Sequence, residues 1–423
     1  MWGWYQSLSG DAKTLILAVG GPVIGAGLGA FLKWLFERRA RRQLERDRED
    51  ARQDRQAAIE SREAALRERT RALEELAERE VEARIRQRDL DSAHRALERM
   101  RDGVDREKSK LEQLLTTLRD NETGIWTTFP KKPPFEDFDA RMGERTPLVL
   151  TIANNKGGVG KTTLVGNLIA HFDAGRELKV LAIDLDYQGS LSTMLRAEYG
   201  ATEERKSAVN GLLERGASIG TVYEATRRLG KRLHRSELAP AFYELALFED
   251  RLLVEWLVQA GGDDVRYRLA NVLHNSAIRN KFDIVVIDVP PRLTTGTINA
   301  LCASTHVLVP TIFNPIAAEP VANFLSASTL LMNNLNPKLE FIGVVETMTP
   351  AKGTGERARS EGRRMIQEAL DLSFPNITIL ENSVPRRAAI SDGGVAYFDD
   401  RTGGARSIFD ALGRELGARM GLR

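Results

Sequence analysis

The stretch Asn154–Thr163, NNKGGVGKTT, concentrates the residue types that hold phosphate. Gly157, Gly158 and Gly160 allow backbone N–H groups to turn inward around phosphate oxygens. Lys161 is spaced to neutralise β and γ phosphates, Thr162 supplies a hydroxyl for Mg²⁺, and Val159 and Thr163 complete the contacting run. The ordinary pattern G-x-x-x-x-G-K-[ST] calls for glycine at position 155. Asn155 stands there instead, followed by an additional lysine, Lys156. No fold requires a lysine inside a glycine-rich loop, so a chemical role for Lys161 outweighs a structural one. Lys156 taken alone reads equally well as a solvated loop lysine.

Two acidic elements accompany the loop. In AIDLDYQGS, Asp184 and Asp186 fall at the carboxyl end of an apolar run, and alternate strand residues point the same way, so both carboxylates could face the phosphate site, with Asp184 among the expected Mg²⁺ ligands. In DIVVIDVPP a second run ends in Asp288, the expected place for a carboxylate that holds a Mg²⁺-bound water. Asp184 and Asp186 could instead be turn formers at strand ends. A loop and two strand-end acids in this order outweigh that reading.

These residues need strands to carry them. LVLTIAN precedes the loop and the apolar helix TLVGNLIA follows it, so phosphate would also meet the positive end of a helix dipole. KVLAID, DIVVID, HVLVPT and EFIGVV are short, β-branched and separated by helical stretches, the pattern of buried parallel strands in an α/β domain. The segment from about Leu195 to Asn280 reads as mostly helical and carries no chemical motif.

The chain ahead of this domain differs in texture. Thr14 to Leu32 is 19 residues without a charge, enough as a helix to cross roughly 30 Å of hydrocarbon. Trp2, Trp4 and Tyr5 precede it, Trp34 follows, and Lys33, Arg38, Arg39, Arg41 and Arg42 outweigh Lys13. That asymmetry predicts a single-pass span with the remainder in the cytoplasm. Gly21, Gly25 and Gly29 would permit close helix approach, although glycine is also simply common in such helices. From Glu37 to Lys110 charged residues dominate and aromatic ones are absent. Leu76, Ala83, Leu90, Leu97, Val104, Leu111 and Leu118 recur every seven residues, with Ala93, Met100 and Leu114 three places on, which is the seam of a coiled-coil dimer. A solitary helix held by charged i,i+4 pairs is the alternative. TTFPKKPPFEDF then reads as a stiff linker. The predicted organisation is a membrane segment at 1–36, a coiled coil at 37–120, a proline-rich linker at 121–145 and an α/β domain at 146–423.

Composition narrows the functional classes. A net charge of +2 with 28% charged residues excludes a global polyelectrolyte. One cysteine, Cys302, excludes internal disulfides and paired-cysteine redox or metal sites, and the five histidines show no ligand spacing. Lys352, Arg357, Arg359, Arg363, Arg364, Arg386 and Arg387 could form a non-specific DNA surface. Without interleaved aromatics or a groove-reading helix, a solvated face is the stronger reading.

IANNKGGVGKTT, DLDYQGSLS and DIVVIDVPPRL resemble the three motifs of the ParA/MinD family of deviant-Walker ATPases, and GGARSIFDALGREL resembles its final helix. The resemblance spans roughly Thr146 to Arg423. It implies a P-loop NTPase fold with a mostly parallel sheet flanked by helices, using ATP and Mg²⁺. It implies that Lys156 reaches across an ATP sandwich homodimer to the partner's phosphates, and that Asp186 orients the attacking water. TMTP from Thr347 and VPRR from Val384 resemble base-contacting loops, which would bring Pro385 to the nucleotide. Tyr187 replaces the usual proline of D-x-D-P-Q-G, and Arg292 follows Pro290-Pro291 where a small residue is common. Both departures touch partner surface and regulation rather than phosphate ligands.

The combined expectation is a membrane-anchored ATPase switch, dimeric through its ATP sites and coiled coil, with slow turnover until a protein partner completes the site. A membrane scaffold whose ATP controls assembly without turnover is the alternative. A tyrosine autokinase is disfavoured, since from Val321 onward the only tyrosine is Tyr397.

Overall fold

Five apolar runs become the inner strands of an eight-stranded sheet in the order β3-β4-β2-β5-β1-β6-β7-β8. The strands are β1 (Leu148–Ile152), β2 (Val180–Asp184), β3 (Arg227–Arg228), β4 (Ser236–Ala239), β5 (Ile284–Asp288), β6 (His306–Thr311), β7 (Glu340–Thr349) and β8 (Val384–Pro385). Every pairing is parallel except β3 with β4. Residues such as Val149, Leu150, Ile183 and Val286 are fully buried, because helices cover both faces and leave no polar side to alternate with. The computed structural model describes residues 75–120, 124–127, 134–144, 147–199, 206–258, 262–351, 353–387, 390, 394–399 and 404–422.

The principal helices are α1 (Glu75–Asp120), α2 (Lys161–Ala170), α3 (Ser190–Tyr199), α4 (Glu244–Leu257), α5 (Thr295–Ala303), α6 (Ala318–Leu335), α7 (Glu356–Ser373) and α8 (Ala405–Met420). α2 is apolar nearly all round and is correspondingly buried along its length. α8 repeats Ala405, Phe409, Leu412, Leu416 and Met420 on the face it buries, as the final-helix motif predicts.

The predicted helical segment at 195–280 is mixed. It supplies α4 and shorter helices, but also β3 and β4, with β4 extending the sheet beside β2. Strands of two and four residues are too short to show a two-residue period. The linker also differs from expectation. Gly124–Thr127 and Phe138–Gly143 are helical, and Trp126 and Met142 are each 3% exposed. Trp256 donates its indole N–H to the Ile125 carbonyl at 3.3 Å, and Arg266 donates to the Trp126 carbonyl. Arg266 is itself buried, paired through two nitrogens with Asp264 at 2.9 and 2.7 Å and set over the Trp256 ring at 4.1 Å. Compactness divides the chain into Met1–Glu122 and Thr123–Arg423, so the unit that contains the sheet begins well before residue 146.

In the first unit α1 runs for 46 residues. Leu90, Leu97, Met100 and Val104 of the predicted seam are exposed in the single chain, Leu90 and Leu97 at 65% and 66%. The predicted span at 14–32 lies outside the described residues, as does the seam upstream of Glu75. Among the described residues no helix is long and apolar enough to cross a membrane.

Candidate functional site

β1 feeds directly into the glycine-rich loop, which closes onto the first residue of α2. Gly158 and Gly160 adopt φ of 72° and 81°, a left-handed conformation that side chains oppose. The loop is anchored from outside. Asn154 donates its amide to the Pro310 carbonyl at 2.8 Å and accepts the Lys156 N–H at 3.0 Å. The Thr347 hydroxyl on β7 reaches the carbonyls of Val159 at 2.8 Å and Thr311 at 3.1 Å. Val159 is fully buried, so it fixes the loop from behind while its neighbours face out.

Lys161 is 8% exposed, and its ammonium donates to the carbonyls of Asn154 at 3.2 Å and Lys156 at 3.1 Å. Burial lowers its pKa, while Asp288 and then Asp186 oppose that shift. The Lys156 side chain is half-buried beside it.

The acidic groups divide into three environments. Asp184 pairs in register with Asp288 across β2 and β5. Its carboxylate accepts the Ser192 hydroxyl at 2.7 Å, the Ser192 N–H at 2.9 Å and the Asp186 N–H at 3.0 Å. Asp184 is expected from the sequence to be among the Mg²⁺ ligands; here these three bonds occupy most of the about four acceptor positions of its carboxylate and hold the turn that carries Asp186. Neither oxygen of Asp288 has a hydrogen-bond partner. Burial and the charge of Asp184 push its pKa well up, and the nearby Thr162 hydroxyl favours its charged form without reaching hydrogen-bond geometry. Two orphaned buried oxygens beside a hydroxyl make an oxygen-only donor set, which fits a hard divalent cation that keeps several waters. Asp186 is raised by burial, with the Gln188 N–H, Lys161 and Arg292 acting the other way.

The turn after Asp186 depends on Gly189. Its φ is 62°, and a Cβ there would stand 2.6 Å from the Ala241 carbonyl oxygen. Ser192 in turn accepts the Ala241 N–H at 2.9 Å, so the long segment before β5 braces the acidic loop.

These elements enclose a cleft of about 860 Å³ at the carboxyl edge of the sheet. Gly157, Gly158, Gly160, Lys161, Thr162, Thr163 and Asp186 line it. Lys156, half-buried, directly precedes the lining residue Gly157 without itself lining the cleft, and Asp184 and Asp288 are fully buried. Pro385 is not brought there. It ends the two-residue edge strand β8, where Arg386 N–H bonds to the Thr349 carbonyl at 2.8 Å. TMTP contributes Met348 to the cleft wall instead. Tyr187 and Arg292 also line the cleft, with the guanidinium 5.9 Å from the ring centroid. The signal for both was their departure from the motif pattern; Ser192 and Thr347 lie inside the quoted segments DLDYQGSLS and TMTP, but nothing in the sequence singles out their hydroxyls.

A family model described as an AAA domain matches residues 148–341. The chromosome partitioning protein ParA of Caulobacter vibrioides is 34% identical over 202 residues, covering 47% of this chain and 69% of that protein. The sporulation initiation inhibitor protein Soj of Bacillus subtilis is 29% identical over 275 residues, 64% of this chain and 98% of Soj. Among solved structures, apo McdA from Cyanothece shares the fold at 20% identity and a TM-score of 0.51, covering 64% of this chain and 99% of that one.

Proposed function

This chain belongs to the ParA/MinD family of P-loop ATPases, and on that premise we propose that it is a membrane-anchored, dimerising ATPase switch. The observation that carries the reading is the pair of unpartnered Asp288 oxygens beside the Thr162 hydroxyl, in a cleft that also presents Lys161 and Asp186. ATP is the substrate that uses all four groups.

In this reading the loop amides and Lys161 hold the β and γ phosphates, while Thr162 and Asp288 hold Mg²⁺. When bound there, Mg²⁺ would supply charge neutralisation to the phosphates. Asp186 orients a water whose oxygen forms a bond to the γ-phosphorus. The bond from that phosphorus to the β–γ bridging oxygen breaks, its electron pair stays with ADP, and the water's proton leaves with inorganic phosphate. Catalysis here is mainly positioning and charge stabilisation.

Lys156 acts on the second copy, reaching the partner's phosphates when two ATP-bound domains close. The open seam of α1 supports a partner of the same kind, and the uncharged run at 14–32 supports a membrane anchor. Joining two domains through such a stalk raises their effective concentration, so closure needs less intrinsic affinity. A protein partner that completes the site sets the turnover.

The test is phosphate release by the full-length protein in detergent or nanodiscs, beside Lys161→Ala. We expect Mg²⁺-dependent release that the variant loses by at least about 100-fold. Hydrolysis unchanged in Lys161→Ala would sink the reading. ATP-dependent dimers with no release would mark an assembly scaffold instead.

A further inference from the structure

Around the phosphate end of the cleft stand Asp184, Asp186 and Asp288, and Lys161 is the loop cation buried among them. Lys156 is assigned to the partner's phosphates, and ATP entering with one Mg²⁺ still adds net negative charge. A second cation from the same chain would correct this balance, and the structure offers one in Arg292.

Three observations single it out. Arg292 lines the cleft together with Asp186 and the loop glycines. Its main chain is held, since its carbonyl accepts the Thr294 N–H at 3.1 Å and the Thr297 hydroxyl at 2.8 Å where α5 begins. Its side chain is exposed and in no ion pair among the described residues, resting over the Tyr187 ring at 5.9 Å. That contact lies at the limit of about 6 Å for a cation–π interaction and is weak at an exposed site. An incoming phosphate oxygen, offering a charge-assisted bond, outcompetes it. Within the cleft its charge favours the carboxylate form of Asp186, and it does the same for Glu249 and Asp250 on the neighbouring helix α4.

We propose that Arg292 is a catalytic residue acting in its own chain: parked on Tyr187 in this structure, it turns into the cleft when ATP enters and stabilises the γ-phosphoryl oxygens as the bridging bond breaks. The inference rests on the ATPase reading above. Arginine suits the task, since its planar fork meets two phosphoryl oxygens at once and never loses its charge. Its fixed backbone and free side chain give it a short arc to travel.

The test compares full-length wild type with Arg292→Ala and Arg292→Lys, reading kcat, ATP affinity and affinity for ADP–aluminium fluoride as a mimic of the transferring phosphoryl group. For Arg292→Ala we expect kcat to fall by roughly 100- to 1,000-fold, the effect of removing one such donor, and mimic affinity to fall in parallel. ATP affinity should change by less than about threefold, the signature of an interaction made only in the transition state. Arg292→Lys should recover part of kcat, because a point charge remains without the fork. An unchanged kcat in Arg292→Ala, or weaker ATP binding with kcat intact, would overturn the proposal and leave the ATPase reading standing. A wild type that releases no phosphate would remove both.

Discussion

Asp184 and Asp288 stand at the same level on adjacent parallel strands, yet the protein satisfies one carboxylate with three hydrogen bonds and leaves both oxygens of the other without any. Such a buried, unpartnered acid costs stability when charged. Its presence at the foot of a glycine-rich loop marks where stability is given up for ligand binding.

The first prediction follows from that asymmetry. Asp288 has a folded-state pKa raised above the ordinary value, so folding favours its protonated form and its charge weakens the fold at neutral pH. Asp288→Asn should raise the melting temperature of the nucleotide-free protein at pH 7.5 by about 2–4 °C, with the gain shrinking as the pH falls toward the ordinary carboxylate range. The same variant should lose Mg²⁺-dependent phosphate release and the stabilisation that Mg²⁺ gives the wild type. Differential scanning fluorimetry across pH checks it; a destabilised variant at pH 7.5 contradicts it.

Lys156 separates binding from closure. Lys161 is held by the carbonyl of Lys156, not by its side chain, so Lys156→Ala leaves the empty loop intact. ATP affinity of the isolated protomer should stay within about threefold of wild type, while ATP-dependent dimerisation and turnover fall by at least about 100-fold. Sedimentation velocity with and without ATP reads the first effect directly. Intact closure in this variant would remove the cross-dimer role.

Glu249 provides a pH signature. Burial pushes its pKa up to about 7, against the pull of the Thr294 hydroxyl, the Gly296 amide and Arg292. Gly296 donates to it at 2.6 Å. With the folded value above the unfolded one, its contribution is full below the ordinary glutamate range and is lost as the pH rises to about 7. Glu249→Gln, isosteric with the neutral acid, should abolish this slope and be more stable than wild type at pH 8, by up to about 3 kcal/mol. Urea denaturation at pH 5 and pH 8 measures the difference.

The seam of α1 tests the stalk. Leu90 and Leu97 are about two-thirds exposed in one chain, and a second helix would cover them. Replacing both with aspartate should weaken nucleotide-free self-association at least tenfold, since charge at core positions of a coiled coil leaves a desolvated, unpaired group. A wild type that is monomeric without nucleotide would show that this seam has no partner of its own kind.

The parts of the site legible in the sequence were those whose chemistry is local. Gly158, Gly160, Lys161 and Thr162 sit at fixed offsets along one loop, and the inner strands are long enough to declare themselves by continuous apolar residues. β3, β4 and β8 escaped because they are too short to carry a period and exist by pairing to a neighbour. Ser192 and Thr347 fall within quoted motifs, but their bracing roles were not legible, because those arise only when distant segments meet. Tyr187 and Arg292 were visible as oddities, but only folding shows that the two oddities touch. Pro385 lies on the edge strand β8 and does not line the cleft, a placement that two residues of likeness do not specify.

The burial of Trp126 also decides where the molecule can be cut. A fragment starting at residue 146, where the apolar strands begin, would lose the Trp126 carbonyl that Arg266 holds and the Ile125 carbonyl that the Trp256 indole holds. A guanidinium shut away from water would then be opened to solvent next to a bared indole, an invitation to aggregate during purification. A well-behaved soluble preparation must therefore retain Gly124–Thr127, and a failed expression trial with the shorter piece would report on the position of the cut rather than on the enzyme.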